Sequence, residues 1–206
     1  MAYSESYKKW HRPKTNHYDE NGKLKKGETY QGYFHEKWNI RHPEKIQGDP
    51  HLIIFRSSWE FAFCKWCDTS PSVIRWSSEP ITIPYYDRVS KLEECKRNGL
   101  DPNNPKNWII KNYHTDFWIE IDKGNNNIQR IFVEIKPSEK LKKPIPPPIN
   151  ASLKEKRIFN AKAKEYLINE AKFAALGAWA EKNNSKFYVF TEKTLQNLLG
   201  RFWPQD

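Results

Sequence analysis

The chain has 206 residues, 37% of them hydrophobic, and a mean hydropathy of −0.92. That composition supports one compact core with polar extensions and argues against two full domains. A formal net charge of +10 points to a polyanionic partner, most often nucleic acid, with a merely soluble basic protein as the plainer reading. No apolar run reaches the roughly 18 residues a membrane helix needs, and the N-terminus lacks a signal-peptide core, so no membrane partner is expected. Three cysteines, Cys64, Cys67 and Cys95, are too few and too unevenly placed for a disulfide framework. The expectation is a soluble protein of a reducing cytoplasm.

Residues 1–50 hold no lasting helical or strand period and mix aromatics with Lys and Arg. Residues 1–28 are read as an extended basic and aromatic arm, and 29–206 as the folded domain. The arm's aromatics either stack on nucleic acid or a partner, or patch the domain's own surface. "LIIF" reads as a short strand, and Ser57 or Ser58 as the cap of a helix running to about Asp68. "VIRWSSEPITIPYYD" reads as two short strands around a turn, with Ile81, Ile83 and Tyr85 alternating. The polar stretch 88–112, with "DPNNPKNW" inside it, reads as a surface insertion.

"YHTDFWIEID" and "IQRIFVEIKP" are the strongest strands, and the turn-rich "KGNNN" between them makes a hairpin. "KPIPPPIN", with residues 144–148 at its centre, is a stiff linker. A helical pattern then runs from Ser152 to about Asn183, with Phe159, Ala163, Tyr166, Leu167, Ala171 and Ala174 on its apolar side. "FYVF" is a last strand and "EKTLQNLLGRF" a short closing helix. No internal repeat is visible.

The hairpin carries the chemistry. A turn near Asn125 and Asn126 sets Asp116 opposite Glu134 and Ile135. Alternation puts Glu134 and Lys136 on one face and Val133 and Ile135 on the other. Two partly buried carboxylates repel unless a proton or a cation joins them, and a hard divalent ion is the usual solution. A lysine beside them can stabilise phosphate charge or position a water. An isolated acid–lysine pair is more often a plain surface contact of little worth. Here the strand around Glu134 is strongly apolar, and the upstream helix offers a third carboxylate, Glu60. The segment that follows is basic. Lys140, Lys142, Lys143, Lys154, Lys156, Arg157 and Lys162 are its candidates for phosphate contacts.

The ordered set "SSWE", "HTDFW" and "VEIKP" resembles the PD-(D/E)xK nuclease core, in particular the TnsA-type nucleases. With "YQGYF", "HPEKIQGDP" and "IIFRSSWEFAFCKWCD" it is similar to the head completion nucleases of tailed phages. The resemblance covers about residues 30–136 and continues more weakly through 152–191. It implies an α/β fold: a restriction-endonuclease-like mixed β-sheet core flanked by helices. It implies Glu60, Asp116 and Glu134 as metal-site carboxylates, the Ile135 backbone carbonyl as a further ligand, and Lys136 as the catalytic lysine. The cofactor would be Mg²⁺, with Mn²⁺ as an alternative, and the substrate double-stranded DNA. The setting would be head–tail joining, with phage portal or neck proteins as partners, in the host cytoplasm during assembly or retained in the virion neck. The insertion at 88–112 and the "KPIPPP" linker have no counterpart in the pattern.

Other signals carry less. The Cys64–Cys67 pair lacks the second pair a structural zinc needs, so packed thiols are expected. His114 shares the side of Asp116, as an ordinary strand histidine or a phosphate contact. No GxxxxGK[ST] loop or dinucleotide fingerprint is present, so no nucleotide cofactor is expected. The competing function is a structural DNA- or portal-binding neck protein with a dormant nuclease site.

Overall fold

A computed structural model describes residues 12–125 and 127–204. The chain divides into two compact units, one formed by 12–81, 114–135 and 180–204, the other by 82–113 and 136–179. In chain order the elements are β1 (Gly32–Tyr33), α1 (Phe34–Lys37), β2 (Ile54–Phe55), α2 (Ser58–Thr69), β3 (Val73–Ser78), β4 (Thr82–Asp87), α3 (Leu92–Arg97), β5 (Ile109–His114), β6 (Phe117–Asp122), β7 (Ile128–Ile135), α4 (Leu153–Lys182), β8 (Lys186–Phe190) and α5 (Glu192–Leu199).

The first unit is built on a mixed four-stranded sheet in the order β3-β6-β7-β8. β6 and β7 form the expected hairpin, with Phe117 paired to Val133 and Asp122 to Ile128. That register sets Asp116, just before β6, opposite Glu134. β3 joins β6 antiparallel and β8 joins β7 parallel. One sheet face carries Trp76, Phe117, Ile119, Ile131, Val133 and Ile135 into a buried core shared with Phe63 and Cys67 of α2 and with Leu195 and Leu199 of α5. Phe63 meets Phe117 edge-on at 4.8 Å and Phe190 at 6.0 Å. The other face carries Arg75 and Ser77 on β3, Trp118 and Glu120 on β6, and Phe132 and Glu134 on β7.

α2 begins where its sequence says it should. Ser57 is the N-cap, and its Oγ accepts the Glu60 N–H at 3.1 Å. Cys64 and Cys67 are buried on the core side of this helix and form no disulfide, and burial pushes the Cys67 thiol well up. Asp68, near its end, is fully buried and accepts three N–H groups: Trp38 Nε1 at 2.9 Å, Arg41 N at 3.0 Å and His42 N at 2.9 Å. These bonds pin the 38–42 segment to the helix. Asp68→Ala leaves all three donors unsatisfied and should cost about 3 kcal/mol. In thermal denaturation by circular dichroism the midpoint should fall by roughly 10 °C; a loss under about 2 °C would show the segment is held by other means.

Within the predicted arm, residues 1–11 lie outside the described residues. Residues 12–31 fold back locally, with a Tyr18–Leu24 bridge and with Glu28 accepting the His17 N–H at 2.7 Å. Tyr30 anchors the following segment by ring contacts to Phe55 and Phe61.

In the second unit β4 and β5 pair with each other as a separate two-stranded sheet. Ile83, Tyr85 and Asp87 are the buried residues of β4, as the alternation predicts. The 88–112 stretch is ordered: it holds α3 and most of β5. Burial alone would raise the Asp87 carboxyl, but hydrogen bonds from Lys111 and Ser90 and from the Ser90 and Val89 amides hold it at about 2. The Lys172 ammonium of α4 sits over the Tyr85 and Tyr113 rings, at 5.8 and 5.2 Å. Ser152 and Glu155 form a capping box at the start of α4, with Ser152 Oγ accepting the Glu155 N–H and Glu155 accepting the Ser152 N–H. The apolar side of α4 differs from expectation at one position. Ala174 is exposed, and the buried residues of the second half are Asn169, Leu176 and Ala180. A stripe on a straight helix drifts about 20° per heptad, so the side occupied by Phe159 is no longer the buried side two heptads on. The 144–148 segment has no regular structure.

Candidate active site

Four carboxylates gather at one end of the first unit's sheet, and each arrives by a different local device. Glu60 comes from the first turn of α2. Its Oε2 accepts the Arg56 N–H at 2.8 Å and its Oε1 accepts the Ser57 hydroxyl at 3.0 Å. Asp116 comes from the bend before β6. Its Oδ2 accepts the Ile135 N–H at 2.8 Å. Glu134 is buried near the end of β7. The fourth, Glu79, follows β3 directly; its N–H donates to the Asp116 carbonyl at 2.7 Å, and its Oε1 accepts from Arg56 Nε.

Electrostatics joins three of them. Burial raises the Glu60 carboxyl most, and the charges of Glu134 and Glu79 raise it further. The hydrogen bonds from Arg56 and Ser57 only partly offset this, and it settles at about 7. The helix that carries Glu60 therefore begins within electrostatic range of both Glu134 and Glu79. Asp116 is tied to the same end through its bond to Ile135. In a strand one residue's N–H and C=O point to the same side, so the Ile135 carbonyl is turned toward Asp116. Among the described residues no three Asp, Glu, His or Cys side chains already stand in a metal-holding cluster. The donors are hard oxygens, the kind Mg²⁺ and Mn²⁺ take, and the charges of Glu134 and Glu79 add to the burial that raises Glu60.

The shift at Glu60 has a measurable consequence. Its folded value, about 7, lies above its usual 4.5, so between those values the folded state holds a proton that the unfolded state has lost. Stability therefore falls as pH rises through that window, and the cost is complete above about pH 7. In a chelator, Glu60→Gln should be more stable than wild type at pH 8 by up to about 3 kcal/mol and indistinguishable from it at pH 4.5. Urea unfolding at the two pH values checks this; parallel pH dependences in both proteins would refute the assignment.

Lys136 is half-buried and opens the second unit, two residues after Glu134 in the chain. Of the seven basic candidates, Lys140, Lys142, Lys143 and Lys162 come together around a cavity of about 140 Å³, with Glu139, Glu165 and Tyr166. Two of them are already paired: Lys140 with Glu165 at 2.7 Å and Lys162 with Glu139 at 3.1 Å. Such exposed pairs are weak and can exchange their carboxylates for phosphates. Lys154, Lys156 and Arg157 lie apart, exposed on the first turns of α4, with Lys156 Nζ donating to the Ile149 carbonyl at 3.1 Å. His114 ends β5, half-buried.

Glu79 is the residue that reasoning on the sequence passed over. Its signal is an acid followed by proline at the turn between two strand-like runs in "IRWSSEPITI".

Comparison with known proteins places the chain in a nuclease family. The N-terminal domain of the TnsA-like endonucleases matches residues 70–192, a span that includes Glu79, Asp116, Glu134 and Lys136 and begins after Glu60. The chain is also 32% identical over 162 residues to the head completion nuclease of Enterobacteria phage T4. That alignment covers 79% of this chain and 93% of the phage T4 protein.

Proposed function

Because the chain belongs to the TnsA-like endonuclease family, we propose that it is a metal-dependent DNA nuclease that hydrolyses phosphodiester bonds. We place it in phage head completion, trimming the packaged DNA end at head–tail joining in contact with portal or neck proteins. It would act in the host cytoplasm during assembly, with retention in the neck as its final location. The observation that carries this reading is the hairpin register that sets Asp116, its Oδ2 on the Ile135 N–H, opposite the buried Glu134, with Glu60 raised in part by the charges of Glu134 and Glu79.

In this reading Glu60, Asp116, Glu134 and the Ile135 carbonyl hold Mg²⁺, with Mn²⁺ as a substitute. A cation held there supplies positive charge against the phosphate and an acidified water. The rest is done by the chain. Asp116 fixes the end of β7 by gripping the Ile135 N–H, so Glu134 and its neighbours keep one orientation. Ser57 and Arg56 orient the Glu60 carboxyl through two hydrogen bonds. Lys136 places an ammonium two residues beyond Glu134, for the charge that builds on the scissile phosphate. Lys140, Lys142, Lys143 and Lys162, with Lys154, Lys156 and Arg157, attract and guide the DNA backbone.

The test incubates the purified full chain with linear and circular double-stranded DNA in Mg²⁺, in Mn²⁺ and in EDTA. Cation-dependent cleavage leaving 5′-phosphate ends is the expected result. Binding without cleavage under every condition would favour the second reading, a neck protein with a dormant site. One observation favours that alternative: both Glu60 oxygens are engaged in local hydrogen bonds at the start of α2, from the Arg56 N–H and the Ser57 hydroxyl, as in a purely structural cap.

A further inference from the structure

Glu79 is built into the fold at a cost that an ordinary ion pair does not explain. Its φ is +44°, in the left-handed region that residues with a side chain seldom occupy. Pro80 follows it and narrows its backbone freedom further. The conformation is held by the bond from its N–H to the Asp116 carbonyl, so its position is coupled to that of a proposed ligand. The residue is only 7% exposed.

Its carboxylate is half satisfied. Oε1 takes the Arg56 Nε hydrogen bond. Oε2 is enclosed and has no hydrogen-bond partner among the described residues. An enclosed carboxylate oxygen left without a hydrogen bond is unfavourable, and folds seldom keep one without use. The same sheet shows the ordinary solution. Glu120, equally buried, has one oxygen on Arg75 Nε at 2.7 Å and the other on Arg130 Nε at 3.0 Å, and the Arg75 bond leads in holding its carboxyl below the usual range. Glu79 has one arginine where Glu120 has two. Arg56 meanwhile reaches both acids of this corner, Glu60 through its main-chain N–H and Glu79 through its guanidinium.

We propose that Glu79 is a fourth carboxylate of the cation site, positioned by Arg56, and that its open oxygen Oε2 takes the divalent ion. This rests on the cation site of the proposed function and adds to it a ligand that the hairpin motif does not contain. The ion would occupy the place that a second arginine fills at Glu120.

Glu79→Gln separates this role from simple pairing. The amide oxygen must face Arg56 Nε, because two donors would otherwise meet, so an NH₂ group replaces Oε2. Isothermal titration of the full chain with Mn²⁺ alone should show at least a tenfold weaker Kd than wild type, with an unchanged circular dichroism spectrum. The Mn²⁺-induced rise in melting temperature should shrink in step. Wild-type affinity in folded Glu79→Gln overturns the proposal. Should that variant fail to fold, Glu79→Asp decides: it keeps the charge but withdraws the oxygens by one methylene, and undiminished Mn²⁺ affinity there is equally fatal. A wild-type chain that takes up no Mn²⁺ at millimolar concentration overturns the cation site itself; wild-type binding with an insensitive Glu79→Gln overturns only the role of Glu79.

Discussion

Glu134→Gln is expected to slow DNA cleavage by at least about 10³-fold while leaving the cation-free protein no less stable than wild type. Glu134 is 2% exposed, on β7, in the row opposite Asp116. Charge interactions at such an enclosed position are far stronger than in water, and losing one proposed cation ligand removes several kcal/mol from the reaction, at 1.36 kcal/mol per decade of rate. The same charge works against folding in the absence of a cation, because it helps raise the Glu60 carboxyl. Taking it away relieves that repulsion. The two effects are expected to have opposite signs, whereas loss of a glutamate that only supports the fold should lower both cleavage and stability. Single-turnover cleavage and thermal melts in EDTA measure them side by side. Lost cleavage accompanied by a drop of about 10 °C in melting temperature would mean that Glu134 supports the fold rather than the chemistry.

Lys136→Ala should lower the cleavage rate by roughly 10²-fold or more with DNA affinity within a few-fold of wild type. The proposed role of this ammonium is exerted on charge that develops only as the phosphate reacts, so its removal spares the bound ground state. Binding itself is spread over the many basic residues that follow. Lys136→Arg should recover the rate only in part, since a planar guanidinium is not a compact ammonium. A filter-binding Kd paired with a single-turnover rate separates the two quantities. Equal activity in Lys136→Ala would remove Lys136 from the mechanism and put the DNA-binding neck protein ahead.

Much of the first unit was legible because its signals are local. The Ser57 cap is a contact between residues three apart, and it starts α2 where the sequence puts it. The β6–β7 hairpin is set by a short turn and by alternation, so Asp116 faces Glu134 within one residue of the expected register. What lay beyond reach depends on pairings between distant segments. Nothing near β3 says that it will join β6, or that β4 will leave it to pair with β5. Nothing near Lys140 or Lys162 names Glu165 or Glu139 as partners.

The sequence by itself determined the α/β class, the family-specific text around "SSWE", "HTDFW" and "VEIKP", and three of the four acids at the sheet end. These are properties of short segments, written in spacing and in residue type. Only the tertiary structure decided that Glu79 belongs with them. Its place depends on a left-handed backbone held by the Asp116 carbonyl and on an arginine 23 residues away. It also decided that Glu60 titrates near 7 while Glu120, on the same sheet, stays low. Glu60 is half-buried and Glu120 buried, and no reading of neighbouring residues predicts opposite shifts for them. The difference lies in what the fold brings against each one: other carboxylates at Glu60, two arginines at Glu120. A charge's energy is set by the partners within a few ångströms of it, and those partners are chosen by the packing of the whole unit.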